Sequence, residues 1–399
     1  MLIKKVLIYL ITFIIGISLV SNPTFCQPEI DQEIEQFNGF AGIMVQDLYS
    51  REVLLSYNQD RLFTPASLVK LFILLSGLEI LGQEYCYPTD FYFSSAVPGE
   101  IKGNLFIKGS GDPTQSPEVI RQIANDLVKK YGIHKIDGDI ILDNSLFLPE
   151  EFLGRGWMWD DQNPLIGALM VKGFNVREKQ LPYYNTMPLI WGQLFCQELY
   201  EQGVQFEGDI RVGVLEEGLT VKAIYYSDTI DQILSYMMKM SDNQSAESVF
   251  RTLPLVQNPG NVSTVNLAIT SLSEVVFELL GIQWGEDYII VDGCGLSEYN
   301  LTTPKQIVMV ISYLFQQYGS DLLEYFAYTS EKGTIKARFP FQLWGKTGSL
   351  PSASGLAGIL QTKKDRQVAF CLLENNFFGE QNDPKKFEDT IIKYIYENY

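Results

Sequence analysis

A segment that is apolar on nearly every face is the strongest constraint on how this chain can fold. Residues 67–81 read SLVKLFILLSGLEIL, with too few polar side chains to give a helix one solvated face. Helices on a protein surface keep such a face, so this segment predicts a helix buried at the centre of a domain. At about 100 to 200 residues per domain, 399 residues correspond to two or three domains with ample core.

The segments at the two ends of the chain predict an α/β fold. Apolar runs at residues 40–47 and 52–57 predict two strands, and runs at 355–362 and 367–374 predict two more. We expect these N- and C-terminal strands to share one antiparallel sheet flanked by helices. The predicted helices outside the middle of the chain cover residues 28–37, 229–239, 245–253, 262–280, 304–318 and 384–399.

The middle of the chain has a different texture. Residues 87–217 contain short apolar runs and glycine and proline turns, with one helix predicted over 117–131. We interpret them as a β-rich inserted domain. Residues 27–86 and 218–399 would then form one domain that is built from both ends of the chain.

The first 26 residues have the features of a secretory signal peptide. Lys4 and Lys5 precede an apolar run from residue 6 to residue 20, which is short for a membrane-spanning helix of about 20 residues. We expect export to the periplasm or the outer face of the cell envelope, with this segment cleaved or kept as the only membrane anchor. A buried N-terminal element and a lipid on Cys26 are the alternatives.

Composition excludes several classes of function. Asp and Glu number 48 against 30 Lys and Arg, a net charge of −18, whereas a nucleic-acid-binding protein needs a basic face. The single histidine, His134, is the one residue that could serve as base in a Ser–His–Asp triad, and one histidine is too few for the ligands of a typical zinc peptidase, so both chemistries are disfavoured. The five cysteines form no C-x-x-C pair, and both disulfides and buried thiols stay open. We expect no metal and no cofactor.

One short motif provides a nucleophile with a base that is not histidine. Ser67-Leu-Val-Lys70 puts a hydroxyl and an amine one helical turn apart on the same face. The helix N-terminus adds free backbone N–H groups and a positive dipole end, which favour an oxyanion and disfavour the ammonium form of Lys70. Lys70 can act as a base only if burial and neighbouring cations, Lys346 among them, lower its pKa from about 10.4.

Two further motifs follow in the chain, Ser241-Asp242-Asn243 and Lys346-Thr347-Gly348. Each motif alone has a plain structural interpretation, as a helix cap, a capped loop or a hairpin entrance. Their order and their surroundings favour a shared site. Gly345-Lys346-Thr347 also matches the end of a P-loop, but Pro340 stands where the first glycine of that loop belongs. Nucleotide binding through a P-loop is therefore excluded.

With these motifs the sequence resembles the D-alanyl-D-alanine carboxypeptidase/endopeptidase family, the class C low-molecular-mass penicillin-binding proteins of the serine β-lactamase-like superfamily. The resemblance implies a β-lactamase/transpeptidase-like α/β (α+β) domain, interrupted by a β-rich insertion. Cys294 stands where many relatives carry serine. The strings that support it are Pro65-Ala-Ser-Leu-Val-Lys70, Gly109-Ser-Gly-Asp-Pro-Thr114, Lys239-Met-Ser-Asp-Asn-Gln-Ser-Ala-Glu-Ser-Val-Phe-Arg251, Asp292-Gly-Cys-Gly-Leu-Ser297 and Gly345-Lys-Thr-Gly-Ser-Leu350.

The resemblance implies a serine-type carboxypeptidase that acts on peptidoglycan stem peptides and binds β-lactams. Ser67 would attack the carbonyl between two D-alanines and form an acyl-enzyme, and Lys70 would take its proton. Ser241 would pass a proton to the leaving amine, and Asn243 would hold the substrate amide.

The same resemblance implies how the substrate is bound. Lys346 and Thr347 would bind the terminal carboxylate, on a segment continued by Gly348. Backbone N–H groups of the nucleophile and of Ser349 would form the oxyanion hole. Asp143 would meet the amino group of the peptide's side chain; capping of a turn at a strand end is the alternative for this residue.

Other functions stay open at this point. The nearest is a β-lactamase or esterase of the same superfamily. Class A β-lactamases use a Glu-x-x-Leu-Asn setting, and Glu150-Glu-Phe-Leu-Gly154 lacks its Asn, which disfavours rapid β-lactam turnover. A non-catalytic envelope binding protein would not need the catalytic side chains, all of which are present. The sequence gives no sign of an inhibitor or structural partner of wall enzymes, and it does not determine the oligomeric state.

Overall fold

A computed structural model describes residues 28–148, 156–158, 163–173, 175–176, 186–377 and 383–399. The chain forms two units, one that ends at Phe37 and one that extends from Asn38 to Tyr399. The described part of the first unit holds a helix, α1 (Pro28–Gln36), as predicted. The predicted signal peptide and Cys26 lie outside the described residues. Within the described part of the chain, no helix has both the length and the apolar character needed to cross a membrane.

The elements of the second unit follow the predicted order at both ends of the chain. The predicted helices are all present, and the largest difference is in α6, which continues to Gln257 rather than to residue 253. The strands are β1 (Phe40–Asp47), β2 (Val53–Tyr57), β3 (Cys86–Val97), β4 (Glu100–Lys108), β5 (Lys135–Ile136), β6 (Ile140–Asp143), β7 (Asn163–Pro164), β8 (Asn175–Val176), β9 (Gln205–Phe206), β10 (Ile210–Val212), β11 (Val221–Thr229), β12 (Ala327–Tyr328), β13 (Leu343–Leu350), β14 (Ala353–Gln361) and β15 (Gln367–Asn375). The α-helices are α2 (Lys70–Ile80), α3 (Pro117–Tyr131), α4 (Thr186–Glu201), α5 (Ile230–Met240), α6 (Asn243–Gln257), α7 (Val265–Leu280), α8 (Pro304–Tyr318) and α9 (Pro384–Asn398), and 3-10 helices cover Ala66–Val69 and Gly319–Tyr325.

The first sheet joins both ends of the second unit. Its strand order is β12-β13-β14-β15-β1-β2, and every pair in it is antiparallel. Leu373 of β15 belongs to the core around α2, whereas the next residue, Glu374, faces Glu388 of α9. Neighbouring residues of a strand point to opposite faces, so helices cover both faces of this sheet. The predicted fold class is confirmed.

The predicted central helix is buried, but it begins later than expected. Residues 66–69 form a tight 3-10 turn, and the α-helix starts only at Lys70. Helices α5, α6, α7 and α8 pack around α2. Residues 71 to 75 are fully buried, which explains why the sequence offers no solvated face. Ser67 therefore lies in the turn before the α-helix rather than in its first turn.

A second sheet contains most strands of the middle of the chain. Its order is β10-β6-β4-β3-β11; β5 pairs with β4, and β9 pairs with β5. Pairs β4–β6 and β6–β10 are parallel, whereas β3 pairs antiparallel with β4 and β11. It has its own core, in which Trp191 stacks on Phe195 with ring centres 5.2 Å apart. Strand β11 lies in this sheet although it follows residue 217, and the proposed domain boundaries stay a prediction.

The expectation of one helix within residues 87–217 is wrong. Helix α3 has the predicted bounds, but α4 is a second helix in the same region. Its sequence contains Pro188 and Gly192, which are turn signals in a sequence pattern. Proline is tolerated in the first turn of a helix because the N–H there has no helical partner. The helix therefore forms despite these signals.

Candidate active site

The turn that carries Ser67 is held between two glycines. Ala66 has a positive φ of 50°, which is uncommon for a residue with a side chain. A Cβ atom at Gly295 would lie 2.0 Å from the carbonyl oxygen of Ala66, and one at Gly348 would lie 2.7 Å from that of Pro65. Only glycine at positions 295 and 348 allows these two segments to approach the backbone of the turn so closely. The loop that contains Gly295 and the third motif thus fix the turn that presents Ser67.

Lys70 is fully buried, and its amine binds the nucleophile directly. Its Nζ lies 3.0 Å from Ser67 Oγ and 2.8 Å from Asn243 Oδ1, and it also donates to the carbonyl oxygen of Cys294. Burial lowers the pKa of Lys70, and nearby acidic groups, Cys294 and Asp292 foremost, oppose that shift. The site therefore makes Lys70 easier to deprotonate than a lysine in water.

The carbonyl of Cys294 is aimed at the site by a buried loop. Glu247 Oε1 accepts from the backbone N–H groups of Gly293 and Cys294, at 2.6 and 3.0 Å. The Asp292 carboxylate accepts a hydrogen bond from the N–H of Gly295 at 2.9 Å. It also accepts hydrogen bonds from three further donors, Ser297 N, Asn300 Nδ2 and Trp157 Nε1. The sequence motifs included Glu247 and Asp292 but gave no role to them. The available signal for Asp292 was a single charged residue between an apolar run and two glycines, whereas the polar surroundings of Glu247 gave no signal.

These acidic groups form a cluster that could suit a metal ion. One ligand atom each of Glu247, Asp292 and Cys294 lies within 4.8 Å of the others. The carboxylates already accept backbone N–H bonds, and burial raises the pKa of the Cys294 thiol well above its usual value. A metal needs deprotonated ligands, so hydrogen bonding accounts for the cluster better. The described cysteines, Cys86, Cys196, Cys294 and Cys371, are free thiols.

The second motif forms the link between α5 and α6. Ser241 ends α5 with a left-handed backbone, φ 58°, and Asp242 caps α6 by accepting from Ser245 N at 2.9 Å. Asn243 is the first residue of α6. This two-residue link points Asn243 at Lys70 while Ser241 turns towards the third motif. The sequence prediction of a loop between helices is confirmed for Ser241.

The third motif lies on β13 itself, a strand that the sequence analysis did not assign. Lys346 is fully buried, and its Nζ donates to Ser241 Oγ at 2.7 Å and to the carbonyl of Thr347 at 2.6 Å. Burial first, and then the charge of Lys70, hold the pKa of Lys346 well below its usual value. The structure thus brings all three motifs together through two lysines.

Strand β13 continues past Lys346 beside the nucleophile. Thr347 and Gly348 pair with β14, and Ser349 lies opposite Ser354. Strand β12 pairs only with Trp344 and Gly345 of β13. From Lys346 onward, the other edge of β13 has no strand partner among the described residues.

Asp143 occupies the end of β6, in the second sheet. One carboxylate oxygen accepts from the N–H and the hydroxyl of Ser145, at 2.9 and 2.6 Å. The other oxygen accepts from Leu215 N at 2.9 Å. These contacts are those of a residue that caps a turn at a strand end. Contact with a substrate amine stays a prediction.

Comparison with known proteins agrees with the motifs. A family model, D-Ala-D-Ala carboxypeptidase 3 (S13), matches residues 27–180 and 184–397. The chain is 24% identical to D-alanyl-D-alanine carboxypeptidase DacB of Haemophilus influenzae, over 96% of this chain and 95% of the relative. It is 22% identical to the D-alanyl-D-alanine carboxypeptidase of Actinomadura sp. (strain R39), over 88% and 80% of the two chains.

Solved structures share the fold. Penicillin-binding protein 4 from Haemophilus influenzae matches with a TM-score of 0.81 and 22% identity, covering 92% of this chain and 99% of the other. The predatory peptidoglycan endopeptidase Bd3459 of Bdellovibrio bacteriovorus matches with a TM-score of 0.61 and 17% identity, over 89% and 90%. Since the family model covers nearly all of the sequence and the three motifs meet in one site, the chain belongs to the D-Ala-D-Ala carboxypeptidase 3 (S13) family.

Proposed function

We propose that the protein is a serine-type D-alanyl-D-alanine carboxypeptidase/endopeptidase that acts on peptidoglycan stem peptides and is acylated by penicillin at Ser67. One observation carries this proposal: a buried lysine amine, Lys70 Nζ, lies 3.0 Å from the Ser67 hydroxyl. Burial favours the neutral amine, which can accept a proton. A serine and a buried lysine supply nucleophile and base without histidine.

The first chemical step is transfer of the acyl group to Ser67. As Oγ bonds to the carbonyl carbon, its proton passes to neutral Lys70, and the carbonyl oxygen becomes an oxyanion. The backbone N–H groups of Ser67 and Ser349 would hold that oxyanion, an interaction worth about 3 to 4 kcal/mol per donor. The turn fixed by Gly295 and Gly348 keeps the first of these groups in place.

The second step releases the terminal D-alanine. The C–N bond breaks, and Ser241 gives its proton to the leaving amine. Lys346, 2.7 Å from Ser241 Oγ, is placed to replace that proton. Water then adds to the ester carbonyl and gives up one proton, the bond to Ser67 Oγ breaks, and Lys70 returns to Oγ the proton that it took. The proton from water balances the one that Lys346 gave.

Substrate binding would use the free edge of β13. The carboxylate of the terminal D-alanine would meet Lys346 and Thr347, and its negative charge would favour the ammonium form of Lys346. Asn243 Oδ1 is occupied by Lys70, so its amide NH₂ is the group left to bind the substrate amide. The substrate is a polymer of the cell envelope. We therefore infer that residues 1–26 direct export of the protein. The proposed reaction uses no cofactor. Asp143 would contact the amino group of the substrate only if its carboxylate gave up the hydrogen bonds by which it caps the turn.

Mass spectrometry of the purified protein after incubation with penicillin tests this function. The wild type is expected to gain the mass of one penicillin, and Ser67→Ala is expected to gain none. Product analysis with a peptide that ends in D-Ala-D-Ala then shows release of D-alanine. An adduct lost within seconds would favour the β-lactamase alternative, and no adduct on folded protein would favour the non-catalytic binding protein.

A further inference from the structure

The residue that follows Asn243 holds a segment from the middle of the chain. The Gln244 side chain is only 2% exposed. Its Nε2 donates to the carbonyl oxygens of Leu165 and Val171, at 3.0 and 3.1 Å, and its Oε1 accepts from Gly173 N at 2.9 Å. Both N–H groups and the oxygen of this amide are therefore used on one stretch of backbone.

We call this stretch, residues 163–173, the wall segment. Its other contacts lead to the second sheet. Gly111 N donates to the carbonyl oxygen of Ala168 at 2.8 Å, and Lys172 N donates to that of Gln115 at 2.9 Å. The wall segment thus connects the loop between β4 and α3, which contains Gly111 and Gln115, to α6, whose first residue is Asn243.

Helix α5 also contacts the wall segment. Lys172 Nζ lies 4.1 Å from the centre of the Tyr236 ring, a distance at which an ammonium group is attracted to the face of an aromatic ring. Tyr236 lies on α5, which ends at Ser241. The wall segment therefore binds both helices that flank Ser241 and Asn243.

We propose that Gln244 is a positioning residue that fixes the wall segment beside Asn243, where it orients the peptide chain of the substrate. This inference rests on the proposed function, in which Asn243 holds a substrate amide. A stem peptide is a longer chain than penicillin and would extend further from Ser67, so contacts beyond Asn243 would orient the peptide more than they orient penicillin. Loss of the Gln244 contacts therefore affects peptide turnover more than penicillin acylation.

The test compares two reactions of one variant. Gln244→Met keeps the length of the side chain and removes its three hydrogen bonds. We expect kcat/KM for a D-Ala-D-Ala stem peptide to fall about tenfold, with less than about a twofold change in the rate of penicillin acylation. Gln306→Met is the matched control, because Gln306 is also buried and also hydrogen-bonded, but at the start of α8. It is expected to change neither reaction selectively.

Equal losses in both reactions would overturn the proposal, since they would show a general effect on the site. An unchanged peptide reaction in folded Gln244→Met would overturn it too. If that variant does not fold, Lys172→Ala tests the proposal instead, because Lys172 is only half-buried and its loss should not prevent folding. Loss of its cation–π contact is expected to lower peptide turnover selectively by about two- to threefold. No selective loss would contradict the proposal. Wild-type protein that is not acylated would instead refute the proposed function itself.

Discussion

Two fully buried lysines in the site behave differently from lysines in water. Desolvation penalises the ammonium form, so burial lowers the pKa of both Lys70 and Lys346. Lys70 thereby gains a neutral fraction at a pH at which a free lysine is almost fully charged. Lys346 has Ser241 and a carbonyl oxygen as partners, and it is the group that a substrate carboxylate would recharge.

The lowered pKa of Lys70 predicts how acylation depends on pH. As pH rises through that value, the neutral fraction of Lys70 grows, so the rate of acylation by penicillin is expected to rise and then level off. The midpoint is expected below 10.5, the ordinary value for lysine. Stopped-flow measurement of penicillin acylation between neutral and alkaline pH gives this profile.

Lys70→Arg is the control for this profile, because arginine stays charged over the same range. It is expected to slow acylation by about 10² to 10⁴, the usual contribution of a general base. A midpoint at or above the ordinary lysine value in the wild type would contradict the assignment of Lys70 as base.

Short motifs made the side chains of the site predictable from the sequence, whereas its backbone groups left no pattern. Ser67, Lys70 and Asn243 were named from residue types and order, and the structure places them in contact. The carbonyl of Cys294, which binds Lys70, is a group that every residue carries. Its aim depends on Glu247, whose contact partner is 47 residues away in the chain. Such a contact follows from the fold and not from local pattern.

Strand and helix ends decide where the side chains of the site point. The second motif works because α5 ends with a left-handed residue and α6 begins two residues later. Asp242 holds this junction by accepting the N–H of Ser245 at 2.9 Å. The cap and the placement of Asn243 therefore depend on the same carboxylate.

Asp242→Ala is expected to destabilise the protein and to slow acylation together. Loss of a side-chain cap costs about 1 kcal/mol, and it loosens the first turn of α6, which contains Asn243. Asp242→Asn keeps the acceptor oxygen and should recover most of the stability. Urea unfolding followed by fluorescence measures the first effect, and penicillin acylation the second. An alanine variant as stable as the wild type would show that the cap is dispensable.

Elements with clear start signals were predicted to the residue, and others were missed for local reasons. Helices α3 and α8 begin with proline after Ser116 or Thr303, and both have the predicted bounds. Strand β13 was missed because LWGKTGSL contains two glycines and a lysine and shows neither an apolar run nor an alternation of apolar and polar residues. The strand is buried around Lys346 because this lysine lies within the site, where it contacts Ser241.

The arrangement of the chain as a unit was only partly accessible. Strands from the two ends were expected in one sheet, and they pair there. However, Trp157, from the region predicted as an insertion, packs in the core around α2 and donates to Asp292 at 2.7 Å. That region therefore supports the site directly. No local signal predicts a contact across 135 residues.

A buried pair of glutamates joins the C-terminal helix to the first sheet. Glu388 of α9 accepts from Ser354 Oγ at 2.8 Å and pairs with Arg338. Glu374 of β15 is fully buried, and neither of its carboxylate oxygens has a donor among the described residues. A proton on Glu374 allows it to donate to Glu388. Burial, and then the charge of Glu388, raise the pKa of Glu374 well above its usual value.

This raised pKa makes stability depend on pH in a definite direction. Above the ordinary glutamate value of 4.5, Glu374 ionises in the unfolded chain but keeps its proton in the folded one, so stability falls as pH rises. Glu374→Gln carries a permanent donor for Glu388 and lacks this loss. Its melting temperature is therefore expected to match that of the wild type near pH 4 and to exceed it increasingly towards pH 8.

Thermal unfolding of both proteins across this pH range tests the expectation. Glu397→Gln is the matched control, because Glu397 is an exposed residue of α9 and its replacement removes a carboxylate without changing the contact between α9 and the sheet. Its difference from the wild type should stay nearly constant with pH. Glu374→Gln that is no more stable than the wild type at pH 8 would mean that Glu374 is ionised in the folded protein. The attachment of α9 would then depend on Arg338 neutralising both carboxylates rather than on a shared proton.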